Sequence, residues 1–238
     1  MTAAYKNSSL YRKFRAFRIA ANLPYFLLKR RLFGFDVPST PHFDSAETTR
    51  WFSERLAKAK MYLEYGAGGS TCLAAKNGVR FVSVDSDPYF LESVRKKIIA
   101  SQQYRPDEQV FHHADIGLTG GWGKPVLWGA PSPERLESFR RYSDMPAEIG
   151  TKFPLPDLVL VDGRFRVACA LKALRALQHE QGWLLLVDDY RGRQGYQVIA
   201  EFGRLQTYVG RMAVFDGIRE DRLGELDAAI RQYETVPS

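Results

Sequence analysis

The stretch LEYGAGGST, Leu63 to Thr71, places a glutamate and three glycines ahead of two hydroxyl residues. MYLEYG, which leads into it, reads as a short strand, and a helix is expected over 70–77. Glycines between a strand and a helix permit unusual dihedrals and let a ligand approach bare backbone, the role open to Gly66 and Gly68. Ser70 and Thr71 can cap the helix that follows. Glu64 narrows the choice of ligand. A pyrophosphate settles on a helix N-terminus, and a carboxylate nearby would oppose it. A cationic ligand that carries hydroxyl groups suits both the glycines and the acid.

Around this turn the chain keeps a rhythm of short apolar strands and amphipathic helices. Strands are expected at RFVSVD (80–85), EQVFHHAD (108–115), DLVLVDG (157–163) and WLLLVDD (183–189), with helices over 88–100 and 164–179. Wholly apolar strands alternating with helices signify a parallel sheet covered on both faces. LQTYVG and RMAVFDGI, almost contiguous, can join only as a hairpin, which puts one antiparallel strand into the sheet. A last helix is expected over 220–233. The expected fold is α/β: a doubly wound, mostly parallel seven-stranded sheet, helices on both faces, closed by a C-terminal antiparallel hairpin. Residues 116–150, rich in Gly, Pro, Trp and Arg, interrupt the rhythm as a lid-like insertion, within which PERLESFRRY reads as a helix.

Ligands of such sheets bind beyond the carboxyl ends of the strands. Here those ends carry Glu64, Asp85, Asp115, Asp162 and the pair Asp188–Asp189. Neighbouring strands lie ~4.8 Å apart, so these carboxylates line one edge.

On LEYGAGGST, VSVDSDP, HHAD, DLVLVDG, WLLLVDD and the closing hairpin, the chain resembles the class I S-adenosylmethionine-dependent methyltransferases over roughly residues 60–217. The resemblance implies S-adenosylmethionine as cofactor. It implies a binding set of Glu64, Gly66, Ala67, Gly68, Ser70, Thr71, Asp85, Ser86, Asp115, Ile116 and Asp162, with Asp85 on the ribose hydroxyls and Asp115–Ile116 at the adenine. A carboxylate can accept both ribose hydroxyls. A nicotinamide-dependent oxidoreductase is the alternative from another enzyme class. It is opposed by Glu64 and by Thr71, which stands where a third glycine is wanted. A third reading is a non-catalytic, membrane-associated protein that retains the fold.

Methyl transfer from a sulfonium needs alignment and removal of a proton from a weak nucleophile. Asp162 and Asp188 are the candidate catalytic residues. Asp162, Asp188 and Asp189 are also similar in placement to the ligands of divalent-metal O-methyltransferases, so Mg²⁺ or another divalent ion is a candidate cofactor. Two positions depart from that pattern: Asp189 replaces an asparagine and Phe165 a lysine. Without a metal, Asp162 serves as a general base or orients a hydroxyl. Trp122, Trp128, Arg164 and Arg191 are candidate contacts to a small-molecule or saccharide acceptor. Arginines beside the tips, Arg166 and Arg193 among them, either bind an anionic acceptor or neutralise the aspartates. His112 and His113 read as structural.

The 238 residues carry a net charge of +7, but residues 1–33 hold eight basic residues and no acid, which leaves the rest at −1. Nucleic-acid binding is not expected from a near-neutral body. Leu10, Phe14, Phe17 and Ala21 fall on one side of a basic helix ahead of a break at Pro24. Two readings stand for it: packing on its own domain or a second subunit, or peripheral contact with an anionic membrane. It is too interrupted to span a bilayer. Residues 1–45 are read as an N-terminal helical segment and 46–238 as the cofactor-binding domain. Cys72 and Cys169 read as reduced core residues of a cytoplasmic protein.

Overall fold

The structure is a computed structural model that describes residues 23–237. Leu10, Phe14, Phe17 and Ala21 lie outside the described residues. One sheet contains β1 (Met61–Tyr65), β2 (Arg80–Asp85), β3 (Gln109–His113), β4 (Leu158–Val161), β5 (Leu184–Val187), β6 (Gly203–Val209) and β7 (Met212–Ile218). Its order is β3-β2-β1-β4-β5-β7-β6. Strands β1 to β5 pair in parallel. β7 alone is antiparallel, held between β5 and β6. The expected doubly wound sheet and closing hairpin are both present. Because the strand order reverses between β1 and β4, the tips of these two strands flank the switch point where such sheets take ligands.

Helix α1 covers 23–33 of the described residues. It is followed by α2 (Ala46–Leu56), α3 (Gly69–Lys76), α4 (Pro88–Ala100), α5 (Pro133–Tyr142), α6 (Arg166–Ala176), α7 (Ile199–Phe202) and α8 (Leu223–Tyr233). Strand alternation divides the core. Tyr62, Phe81, Leu158, Leu160, Leu186 and Val214 face Phe52 and Leu56 of α2, Ala74 of α3 and Val94 of α4. Leu63, Val82, Val159, Val161, Leu185 and Phe215 face Phe139 of α5, Ala170 and Leu174 of α6 and Ile230 of α8. Both cysteines are buried as free thiols. Burial pushes the Cys72 thiol up to about 11.

Three local features shape the site end. Phe165 adopts a left-handed conformation (φ 52°, ψ 38°), so α6 begins at Arg166 rather than at the expected Arg164. Residues 118–126 fold into a knuckle: Gly120 N–H donates to Lys124 O (2.9 Å) and Val126 N–H to Leu118 O (2.9 Å). The segment after α1 lies against the body, with Val37 buried and the Phe35 ring edge-on to Phe90 at 5.3 Å.

Candidate functional site

Glycine meets glycine at the switch point. Gly66 has φ +105°, and a Cβ there would come within 2.6 Å of the Gly163 nitrogen beyond β4. The two strand tips can approach this closely only with bare backbone on both. A Cβ on Gly68 would meet no atom within 4 Å. That side of the turn is an open cradle at the start of α3, where unpaired N–H groups are concentrated.

Glu64 lies beneath the turn. It is fully buried and accepts hydrogen bonds from Tyr62 Oη (2.9 Å), Ser70 Oγ (2.6 Å) and Thr71 Oγ1. Burial raises its carboxyl above the usual range, and the hydroxyl donors oppose that rise. Thr71 Oγ1 also accepts from Gly68 N–H (2.9 Å). The acid thereby ties β1, the glycine turn and the first turn of α3 into one unit. The hydroxyls of Ser70 and Thr71 point inward to Glu64, so the groups this turn offers a ligand are backbone ones.

Asp85 ends β2 on the other side of the cradle. Its Oδ2 accepts from Ala67 N–H of the turn (3.1 Å) and its Oδ1 from Asp87 N–H (2.8 Å). Burial pushes its carboxyl up to about 6, with the two amides opposing. Asp87 caps α4, accepting from Tyr89 and Phe90 N–H. It also forms a buried ion pair with Arg30 of α1 at 2.7 Å. Arg30 reaches further, to Thr119 O (3.3 Å) and Thr119 Oγ1 (3.2 Å) at the base of the knuckle. Helix α1, the cap of α4 and the insertion thus share one guanidinium.

At the tips of β4 and β5 the three aspartates gather around Arg166. Its guanidinium donates to Gly163 O (3.2 Å), Asp188 O (2.6 Å) and Asp162 O (2.9 Å). It pairs with Asp162 Oδ1 at 2.8 Å and approaches Asp188 Oδ2 at 3.8 Å and Asp189 Oδ2 at 4.0 Å. Asp189, in a left-handed conformation (φ 55°), turns to Arg193 (2.9 Å) and Arg211 (2.7 Å). Asp162 stays partly open, with 39% of its side chain exposed. Surrounding protein nonetheless raises the Asp162 carboxyl, while Arg166 pulls it down. Burial first, and then the neighbouring Asp162 charge, raises Asp188.

The insertion closes around this edge. Tyr142 of α5 is buried and accepts from Arg164 N–H through its hydroxyl (3.1 Å). Its ring packs at 5.3 Å from Phe165. Ser86 Oγ donates to Gly123 O (3.3 Å), which lays the knuckle over the tip of β2. Trp122, at the knuckle's end, is 90% exposed, and Trp128 is also exposed. Neither anchors the loop. Ile116 is buried, and Asp115 accepts from Gly117 N–H (2.7 Å) in a turn just past β3. Arg191 lies over the Tyr208 ring at 4.7 Å, against the β6–β7 hairpin.

A solved methyltransferase-like protein from Silicibacter pomeroyi is 31% identical to this chain, matching 81% of it and 98% of its own length with a TM-score of 0.63. The chain belongs to the class I S-adenosylmethionine-dependent methyltransferases. The chain also matches a methyltransferase from Geobacter sulfurreducens (14% identity, 85% of this chain and 89% of that one, TM-score 0.45) and the O-methyltransferase from Bacillus cereus solved with S-adenosylhomocysteine (14%, 88% and 83%, TM-score 0.43). No protein-family model and no curated protein matches the chain.

The residues of this methyltransferase fit an adenosyl sulfonium. The cradle beside Gly68 is open, and the tips of β2 and β4 on either side of β1 carry Asp85 and Asp162. They do not fit a divalent ion, the expectation for Asp162, Asp188 and Asp189. A guanidinium already lies among those three carboxylates, and no group of three His, Cys, Asp or Glu side chains among the described residues is arranged to hold a metal. The nicotinamide reading has no support either, because Glu64 and Thr71 are bonded to each other directly under the turn.

Sequence reasoning missed Tyr142 and Arg30 and left the role of Arg166 open. Tyr142 sits in a helix of the insertion and Arg30 ahead of the fold proper, so no spacing links them to the tips. Arg166 carried one signal: a charged residue in the first turn of a helix whose other early residues are small and apolar.

Proposed function

We propose that this methyltransferase O-methylates a small-molecule or saccharide acceptor, with its cofactor across the tips of β2, β1 and β4. When bound, S-adenosylmethionine supplies an electrophilic methyl group. Asp85 would receive the ribose hydroxyls, the backbone from Gly66 to Gly68 the methionine portion, and Ile116 and Asp115 the adenine side. Glu64 acts from beneath as a positioning residue. Its three hydroxyl bonds hold the turn in the shape that leaves Gly68 open.

The observation that carries the O-directed reading is Asp162. Its carboxylate is held at one oxygen by Arg166, is partly exposed, and has a raised affinity for protons. A carboxylate so placed can orient an acceptor hydroxyl and take its proton as the oxygen attacks. The exposed Trp122 and Trp128, with Arg164, which Gly123 of the knuckle approaches, would suit a flat or hydroxyl-rich acceptor. The test is an acceptor screen with isotopically labelled methyl cofactor, in which product spectra show whether the methyl is bonded to oxygen. Labelled products carrying it on nitrogen, carbon or sulfur would refute the O-directed reading.

The same reading includes peripheral contact with an anionic membrane through the N-terminal segment. It is supported by α1, whose Tyr25, Leu28, Leu32 and Phe33 are 58–80% exposed beside Lys29 and Arg31. Apolar side chains flanked by basic ones suit an anionic lipid surface. Two copies docked through this face would instead set their Lys29 and Arg31 charges against each other. No helix among the described residues is long and apolar enough to cross a membrane. Full-length protein should float with phosphatidylglycerol vesicles and not with phosphatidylcholine vesicles, and Leu28→Glu with Leu32→Glu should abolish this. Failure of the unaltered chain to float with either refutes the contact.

A further inference from the structure

Arg166 stands where three carboxylates converge, and 5% of its surface is exposed. A guanidinium is a permanently charged planar fork with five N–H donors. Here the fork is filled: backbone oxygens of Gly163, Asp188 and Asp162 and the Asp162 carboxylate accept from it, and Asp188 and Asp189 close the ring at 3.8 and 4.0 Å. A hard divalent ion would ask for the same oxygens. Positive charge is already plentiful here: Arg193 and Arg211 both pair with Asp189, and the Arg164 charge acts on Asp162 beside that of Arg166. A divalent ion added to this set would bring two further positive charges next to these guanidinium groups and a cationic cofactor.

We propose that Arg166 is the resident cation of the strand-tip site, held by a covalent tether in the place a divalent ion would take among Asp162, Asp188 and Asp189. Two neighbouring residues build this arrangement. Phe165 takes a left-handed conformation ahead of the helix, and the residue after it turns its side chain back over the tips of β4 and β5. Arg166 is a positioning residue, because it acts through Asp162. It holds one carboxylate oxygen and leaves the group partly exposed. Being tethered, it cannot be removed by a chelator or exchanged for another ion.

This inference rests on the site proposed above, but its test needs no acceptor, so its outcome is separate from which atom is methylated. Full-length protein is titrated with Mn²⁺ alone and followed by paramagnetic resonance. The unaltered chain should show no saturable site at millimolar Mn²⁺. Arg166→Ala, with the three carboxylates uncovered, should bind Mn²⁺ at least about tenfold more tightly. Arg166→Lys, which keeps a cation in place, should stay like the unaltered chain. Guanidinium at low millimolar concentration should raise the melting temperature of Arg166→Ala and leave the unaltered chain unchanged. Loss of the buried arginine can unfold the chain, so the unaltered protein decides alone in that case. A single saturable Mn²⁺ site that Asp162→Asn removes overturns the proposal, as does an Arg166→Ala variant that folds and binds Mn²⁺ no better.

Discussion

Replacing Asp85 by asparagine should make the free protein more stable and its cofactor complex weaker. The Asp85 carboxyl is pushed from 3.8 up to about 6, chiefly by burial. The folded chain therefore holds this proton more tightly than the unfolded chain does. Ionisation of Asp85 costs stability above about pH 6, and the cost disappears as the pH falls below the unfolded value. The separation of the two values corresponds to about 3 kcal/mol at neutral pH. Asparagine removes the charge, but its single carbonyl can accept from only one of the two amides, Ala67 N–H or Asp87 N–H, and the lost bond costs about 1 kcal/mol. The expected net gain at pH 7.5 is about 1–2 kcal/mol, or roughly 4 °C in melting temperature for a chain of this size. Near pH 4 the aspartate is protonated as well, and the gain should vanish or reverse. Cofactor binding should move the other way. Two ribose hydroxyls lose a charged acceptor, and S-adenosylhomocysteine should bind about 100-fold more weakly, close to 3 kcal/mol. Thermal melts at pH 7.5 and 4.5, with calorimetry of S-adenosylhomocysteine, check both halves. A variant destabilised at pH 7.5, or one that binds the ligand as tightly as the unaltered protein, refutes the reasoning.

Other substitutions probe the scaffold of the same site. Gly66→Ala sets a methyl group within 2.6 Å of the Gly163 nitrogen at φ +105°, and should cost roughly 2 kcal/mol or more in urea melts together with loss of S-adenosylhomocysteine binding. Arg30→Met leaves Asp87 buried without its partner and should cost about 3 kcal/mol; a change under about 0.5 kcal/mol would show that the pair does not hold α1 to the body. Glu64→Gln relieves a buried charge but sets an amide N–H₂ against hydroxyls that all donate to the acid; donor facing donor outweighs that relief, and stability should fall by about 1–3 kcal/mol while ligand binding through the turn weakens. Unchanged melting would mean that Glu64 does not organise the turn.

The sheet was legible because its strands obey strong rules. Runs such as LVLV in β4 and LLLV in β5 are buried on both faces, and the tight joint between β6 and β7 allows only a hairpin. The tip acids were legible for the same reason, since a residue that follows a buried strand in a doubly wound sheet must reach the ligand edge. What those acids bond to was not. Glu64 looks from the sequence like a ligand contact, yet side-chain alternation turns it beneath the turn with Tyr62, where hydroxyls from α3 reach it. The helix expected from Arg164 starts two residues later, because Phe165 takes a left-handed conformation that no local preference of phenylalanine announces. That turn sends Arg166 back into the aspartates, so the three acids that suggested a metal are matched by guanidinium groups from three separate segments. Tyr142 and Arg30 reach the site through tertiary packing over long separations, which periodicity does not encode.

A crystal structure of the protein with S-adenosylhomocysteine tests the central claim most directly. The account predicts the ribose hydroxyls on the Asp85 carboxylate, the amino-acid portion along the open side of Gly68, and the sulfur facing Asp162. Ligand density away from the β1–β4 switch point, or a ribose that leaves Asp85 bonded only to Ala67 and Asp87, would contradict it.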